Sequence, residues 1–115
     1  MNIYNKICET LVGYTVREQG SFAPNEKLPD TFITYQIIDS PNDTHADNAS
    51  TSTTYRIQFA LYSTAPVIKQ DADDILKSLL IPAGFLRAGG RDLSYNKDTK
   101  HYGFASDYNY YEMEV

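Results

Sequence analysis

Between Tyr55 and Leu61 every second residue is apolar (Tyr55, Ile57, Phe59, Leu61), the period of a strand with one buried face. The pattern stops at Ser63-Thr64 and changes period. Val67 or Ile68, then Ala72, Ile75, Leu76, Leu79 and Leu80 recur at helical spacing and predict an amphipathic helix. Thr64 is its predicted N-cap, and Pro66 sits in the first turn, where a missing N–H does no harm. Asp71, Asp73 and Asp74 precede Lys77, the polarity the helix dipole favours. Pro82 disfavours helical geometry at Ile81, so the helix is expected to end near Leu80. After Ala83-Gly84-Phe85 a strand runs from Phe85 to about Tyr95. A turn at Asn96-Lys97-Asp98-Thr99 leads into a long closing strand, Tyr102 to Val115, and the two form a hairpin.

Upstream, Ile3, Ile7 and Leu11 recur every fourth residue with Tyr4, Cys8 and Val12 beside them, which predicts a short helix capped by Asn2 and stopped at Gly13. Cys8 falls on the flank of that stripe and reads as a small core hydrophobe. Tyr14 to Glu18 predicts a short strand. Gly20 to Asp30, rich in turn formers, predicts irregular chain. Thr31 to Asp39 predicts a strand with Ile33, Tyr35 and Ile37 facing the core and Ile38 partly covered on the other face. From Asp39 to Thr53 no apolar period is present, and a loop is expected at the tip of a second hairpin closed by a strand from Thr54 to Tyr62. The sum is an α+β domain: an antiparallel sheet of about five strands, two helices on one face, order α-β-β-β-α-β-β.

Composition narrows this picture without changing it. At 115 residues the chain suits one domain spanning 1–115, able to bury about 65% of its unfolded surface without disulfides or metal. Cys8 is the single cysteine, so no internal disulfide is available, and folding in a reducing cytoplasm is expected. No apolar run approaches the roughly 20 residues of a membrane helix, and Met1 to Lys6 lacks a signal-peptide pattern. Asn48-Ala49-Ser50 is a chance match to the glycosylation sequon. A net charge of −5 and scattered bases (Lys27, Arg56, Lys69, Lys77, Arg87, Arg91) argue against nucleic-acid binding as a primary role.

The chemistry-bearing residues are few. Asp43, His45 and Asp47 alternate, as metal ligands on one strand face can; lacking a fourth ligand, they read as a charged hairpin tip. With Asp39 they make an acidic loop that holds no Lys or Arg from 39 to 53. His101 has no acidic or nucleophilic neighbour in sequence and is expected to be exposed. No catalytic, cofactor-binding or metal constellation is read here, and an enzyme is not expected. The composition is tyrosine-heavy, with ten Tyr against five Phe and no Trp. Tyr108 and Tyr110 share a strand face with Tyr102 and Phe104, and Tyr111 lies on the other with Met113 and Val115. Such a strand fits a contact with another subunit through Tyr108, Tyr110 and Tyr111, or plain strand propensity. A sugar-stacking platform using Asp107 and Glu112 is a third reading.

The element order resembles the tail-terminator (tail-completion, tail-to-head joining) proteins of long-tailed bacteriophages and prophages. The resemblance rests on Leu28-Pro29-Asp30-Thr31-Phe32-Ile33-Thr34-Tyr35, on Asp47-Asn48 followed by Thr54 to Ser63, on Ile75 to Leu80 with Ala83-Gly84-Phe85, and on Tyr95 to Tyr102. It implies a structural protein without catalytic residues. Identical subunits would form a ring, commonly a hexamer, that stops tail-tube growth and docks the head. The implied partners are further copies of the chain, a tail-tube protein and a head connector protein, with no membrane and no sequence-specific nucleic acid. The implied location is the virion tail or neck, reached by way of the host cytoplasm. A neck or head-completion connector, or a small binding module using the tyrosine strand, is the alternative.

Overall fold

The computed structural model describes residues 3–23, 26–39 and 51–114, with backbone alone for 39, 51–53 and 112–114. Its spine is β3 (Thr51–Ser63), flanked by β2 (Thr31–Asp39) and by β5 (His101–Glu114). The three-residue β1 (Val16–Glu18) and β4 (Leu86–Asn96) complete a five-stranded sheet in the order β1-β2-β3-β5-β4. Ile33, Tyr35 and Ile37 stand opposite Leu61, Phe59 and Ile57, and Tyr108 stands opposite Ile57. Cross-strand partners share a face, so these side chains form one apolar surface. Helix α1 (Ile3–Thr10) and helix α3 (Ala72–Leu80) pack on it: Ile3, Ile7 and Leu11 join Ala72, Leu76 and Leu80 in one buried cluster with the strands. At its centre Phe59 makes edge contacts with Phe85, centroids 5.7 Å apart, and Tyr108, 5.8 Å. A one-residue slip of β3 would turn Ile57, Phe59 and Leu61 to the other face, so the register is strongly fixed.

The α+β architecture matches the expectation, and three features differ. The sheet is mixed, because β1 runs parallel to β2. The segment 19–30 between them is about a dozen residues, the length a parallel return needs, whereas a tight hairpin would give an antiparallel pair. The helix expected from Thr64 to Leu80 is two helices, α2 (Pro66–Gln70) and α3. Asp71 divides them at φ −92°, ψ 1°, outside helical geometry. The break lets Ala72, Leu76 and Leu80 face the sheet while Val67 stays 66% exposed. The N-cap is Ala65 rather than Thr64, without a side-chain cap of its own, and Ser63 Oγ accepts the Ala65 N–H at 3.1 Å.

Helix α1 also buries less than its sequence stripe promised. Cys8 is exposed, as are Tyr4 and Val12, so an eight-residue helix seats one row of side chains and leaves the flanks in water. Ile38 is exposed too. The expected glycine stop falls at Gly13, which takes φ 100° after α1, and Gly84 likewise takes φ 101° before Phe85, a conformation that costs a residue with Cβ.

Candidate functional site

The sheet's second face divides into two regions. At one end Phe32 stacks on Tyr62, centroids 5.1 Å apart, and Phe22 meets Phe32 edge-on at 5.1 Å. Phe22 thereby covers this end of the face. His101 locks the arrangement: its Nε2 lies 2.7 Å from the Pro29 carbonyl and its ring packs against Phe32. A carbonyl only accepts, so Nε2 carries a proton and donates it, and Nδ1 is buried without a hydrogen-bond partner among the described residues. The ring is 5% exposed, which corrects the expected exposed histidine: 72 residues of sequence separate it from its partner. Gly103 makes room beside it, since a Cβ there would lie 2.9 Å from Tyr62 Cε1. Toward the other end the face is polar, with Arg56 paired to Asp107 at 3.3 Å. Much of the apolar excess read from the sequence is thus consumed within the chain.

The three tyrosines separate. Tyr108 is fully buried in the central core and has no surface left for a partner. Burial pushes its hydroxyl pKa up, and the buried hydroxyl has no hydrogen-bond partner among the described residues. Tyr110 is half-buried on Phe85 at 4.8 Å, with Lys6 Nζ 5.9 Å from its ring centroid. Tyr111 is 55% exposed. Of the acidic loop, Asp39 closes β2, while Asp43, His45 and Asp47 lie outside the described residues. Among the described residues no three His, Cys, Asp or Glu side chains gather as a metal site, and no helix is long and apolar enough to cross a membrane.

Three surface features carry functional potential. The first is the free edge of β4, the last strand of the sheet. Nine of its eleven residues are exposed, including Leu86 and Tyr95. Arg87 is tied inward to Asp73 at 2.9 Å and Asp92 to Lys69 at 3.0 Å, whereas Arg91 has no ion pair among the described residues. Register shifts at Arg87/Gly89 and Leu93/Asn96 confine the regular edge to its middle.

The second is a two-stranded ribbon. Pairing of β2 with β3 ends at Asp39↔Arg56, and pairing of β4 with β5 starts at Leu86↔Asn109. The β3–β5 ladder continues beyond both, from Tyr55↔Tyr110 to Thr51↔Glu114. The third is a cavity of about 860 Å³ at the opposite end, where Phe22, Lys27, Tyr95, Lys100, His101 and Tyr102 are among its lining residues. Lys100 holds φ 62°, an uncommon state for a residue with Cβ.

Sequence reasoning missed the cavity, because its walls come from residues near 22–30, 64 and 95–102, and no local period connects them. The positive φ at the end of the 96–100 turn was the one feature within reach, since such turns commonly close on a left-handed residue. No family model matches the chain, and no curated protein matches it.

Proposed function

We propose that this chain is a structural subunit of a long-tailed bacteriophage or prophage that closes the tail tube as a ring of identical copies and offers the head its docking surface. The observation that carries the assembly reading is the open edge of β4, exposed along nine of its eleven residues. An unpaired edge presents rows of N–H and C=O groups that template another strand, and stable monomers ordinarily blunt or cover it. A ring contact is heterologous and needs two unlike surfaces on each subunit. The sheet ends on two unlike edges, the long β4 and the three-residue β1. Tube capping and head docking rest on the resemblance in element order and on the quoted segments.

The acidic loop fits the same reading. Asp39, Asp43 and Asp47, with no base from 39 to 53, would repel phosphates on a wall past which DNA travels. Self-repulsion among these loops would also keep free subunits open until a tube end templates the ring. The test is tube growth: with purified tail-tube protein, the chain should arrest elongation and narrow the length distribution. An unchanged length distribution overturns the reading.

A further inference from the structure

We propose that a smaller cavity beside the one described above binds a small neutral aromatic molecule, held by an O–H or N–H of the ligand that donates to His101 Nδ1. This site stands apart from the assembly reading, since it takes a small molecule and uses neither edge of the sheet.

Space comes first. The cavity measures about 300 Å³ and is walled by Phe22 and Leu28 from the segment after β1 and by Phe32, Thr34 and Tyr62 from the sheet. An apolar cavity of about 150 Å³ is enough for a benzene ring, so this one takes a single ring with a substituent. Small-molecule sites begin at about this size. The larger cavity shares Phe22, Leu28, Thr99 and His101 with it and, with the exposed Lys27 and Lys100 in its own wall, opens the approach from solvent.

Charge and shape select the class. No Asp, Glu, Lys or Arg lines the smaller cavity; apart from its rings, Leu28 and Gly20, the lining is neutral polar side chains. An ion would give up its hydration there and meet no counter-charge, so the ligand is neutral. The wall is aromatic. Phe32 stacks on Tyr62 at 5.1 Å and meets Phe22 and His101 edge-on at 5.1 Å and 5.2 Å. A further ring joins such a cluster by the same offset or edge contacts.

One unsatisfied atom selects the substituent. His101 is 5% exposed, and its Nε2 donates to the Pro29 carbonyl at 2.7 Å. In the neutral imidazole Nδ1 is then an acceptor. Among the described residues it is the one buried side-chain atom of the lining that has no partner. Asn96 Oδ1, by contrast, already accepts the Asp98 and Thr99 N–H groups. A buried unpaired acceptor calls for a specific explanation. Water answers it poorly, because a buried water needs two to four polar partners. A phenol or an indole, an apolar ring with one donor, satisfies both the wall and the atom.

The test is an NMR titration of the isotope-labelled full chain with phenol, toluene and benzoate, read in the backbone amides. Phenol should shift the amides of residues 28–34 and 94–101 saturably. Toluene, of the same size without the donor, should bind about tenfold more weakly, as expected when a buried acceptor loses its hydrogen bond. Benzoate should leave those amides unmoved. In His101→Phe, which keeps a ring against Phe32, phenol and toluene should bind equally. Far-UV circular dichroism checks that this variant is folded, and if it is not, the three probes on the natural chain decide alone. Phenol without saturable shifts, shifts spread over the whole chain, benzoate bound as well as phenol, or equal binding of phenol and toluene by the natural chain overturns the site. A preference for phenol that survives in His101→Phe overturns it too.

Discussion

Replacing Tyr108 and Tyr111 one at a time by alanine separates fold from assembly within one strand. Tyr108 is fully buried and edge-on to Phe59 at 5.8 Å. Truncating a buried aromatic costs about 3–5 kcal/mol through lost transfer energy and the cavity left behind. Domains of this kind hold about 5–15 kcal/mol in total. For a chain of this size 1 kcal/mol moves Tm by about 4 °C, so Tyr108→Ala should melt about 15 °C below the natural chain. Tyr111 is 55% exposed on the ribbon, and a surface change of that kind stays within about 0.5 kcal/mol. Its Tm should move by no more than about 2 °C, while self-association should fall. The assay is thermal unfolding by far-UV circular dichroism, paired with sedimentation. Equal Tm losses for the two variants, or a Tyr108→Ala chain that melts with the natural one, would refute this division.

His101→Ala should lose about 1–3 kcal/mol by leaving the Pro29 carbonyl without its donor, and hydrogen exchange should quicken in the segment 19–30; unchanged exchange there would show that the clamp is dispensable. Gly103→Ala should cost about 1–3 kcal/mol through overpacking against Tyr62 and Leu93, measured by urea denaturation, and a neutral result would mean that Tyr62 moves freely off Phe32. The hydroxyls of Tyr35, Tyr62 and Tyr108 are raised chiefly by burial, so the folded state holds these protons more tightly than the unfolded state. Their contribution is full below about pH 10, the unfolded value, and is lost as pH rises through the folded values. A pH titration of stability should therefore decline above about 10, and Tyr108→Phe should decline less steeply; a flat alkaline limb contradicts the burial argument.

What was legible in the sequence was what local periodicity carries. Alternation through Tyr55, Ile57, Phe59 and Leu61 placed β3, and Ala72, Leu76 and Leu80 placed the helix that covers it. The glycine stop at Gly13 follows from chain geometry alone. The parallel β1 was not legible, because direction depends on how the segment 19–30 folds back over Phe32 and Tyr62. The same fold-back buried His101, whose partner lies 72 residues away. The tyrosines misled for a related reason. Alternation assigns Tyr108 and Tyr111 to opposite faces correctly, but only the packing of Phe85 and Phe59 shows that one is core and the other surface. Cys8 reads as core on a helical wheel and is exposed because α1 seats a single row of residues.

The central claim is that copies of this chain close a tail tube. Its most direct measurement is negative-stain electron microscopy of the purified protein mixed with tail tubes built from a purified tail-tube protein, with averaged images of the tube ends. The account predicts a ring of additional density on one end of each tube, absent when the chain is left out. Bare ends identical with and without the chain would contradict it.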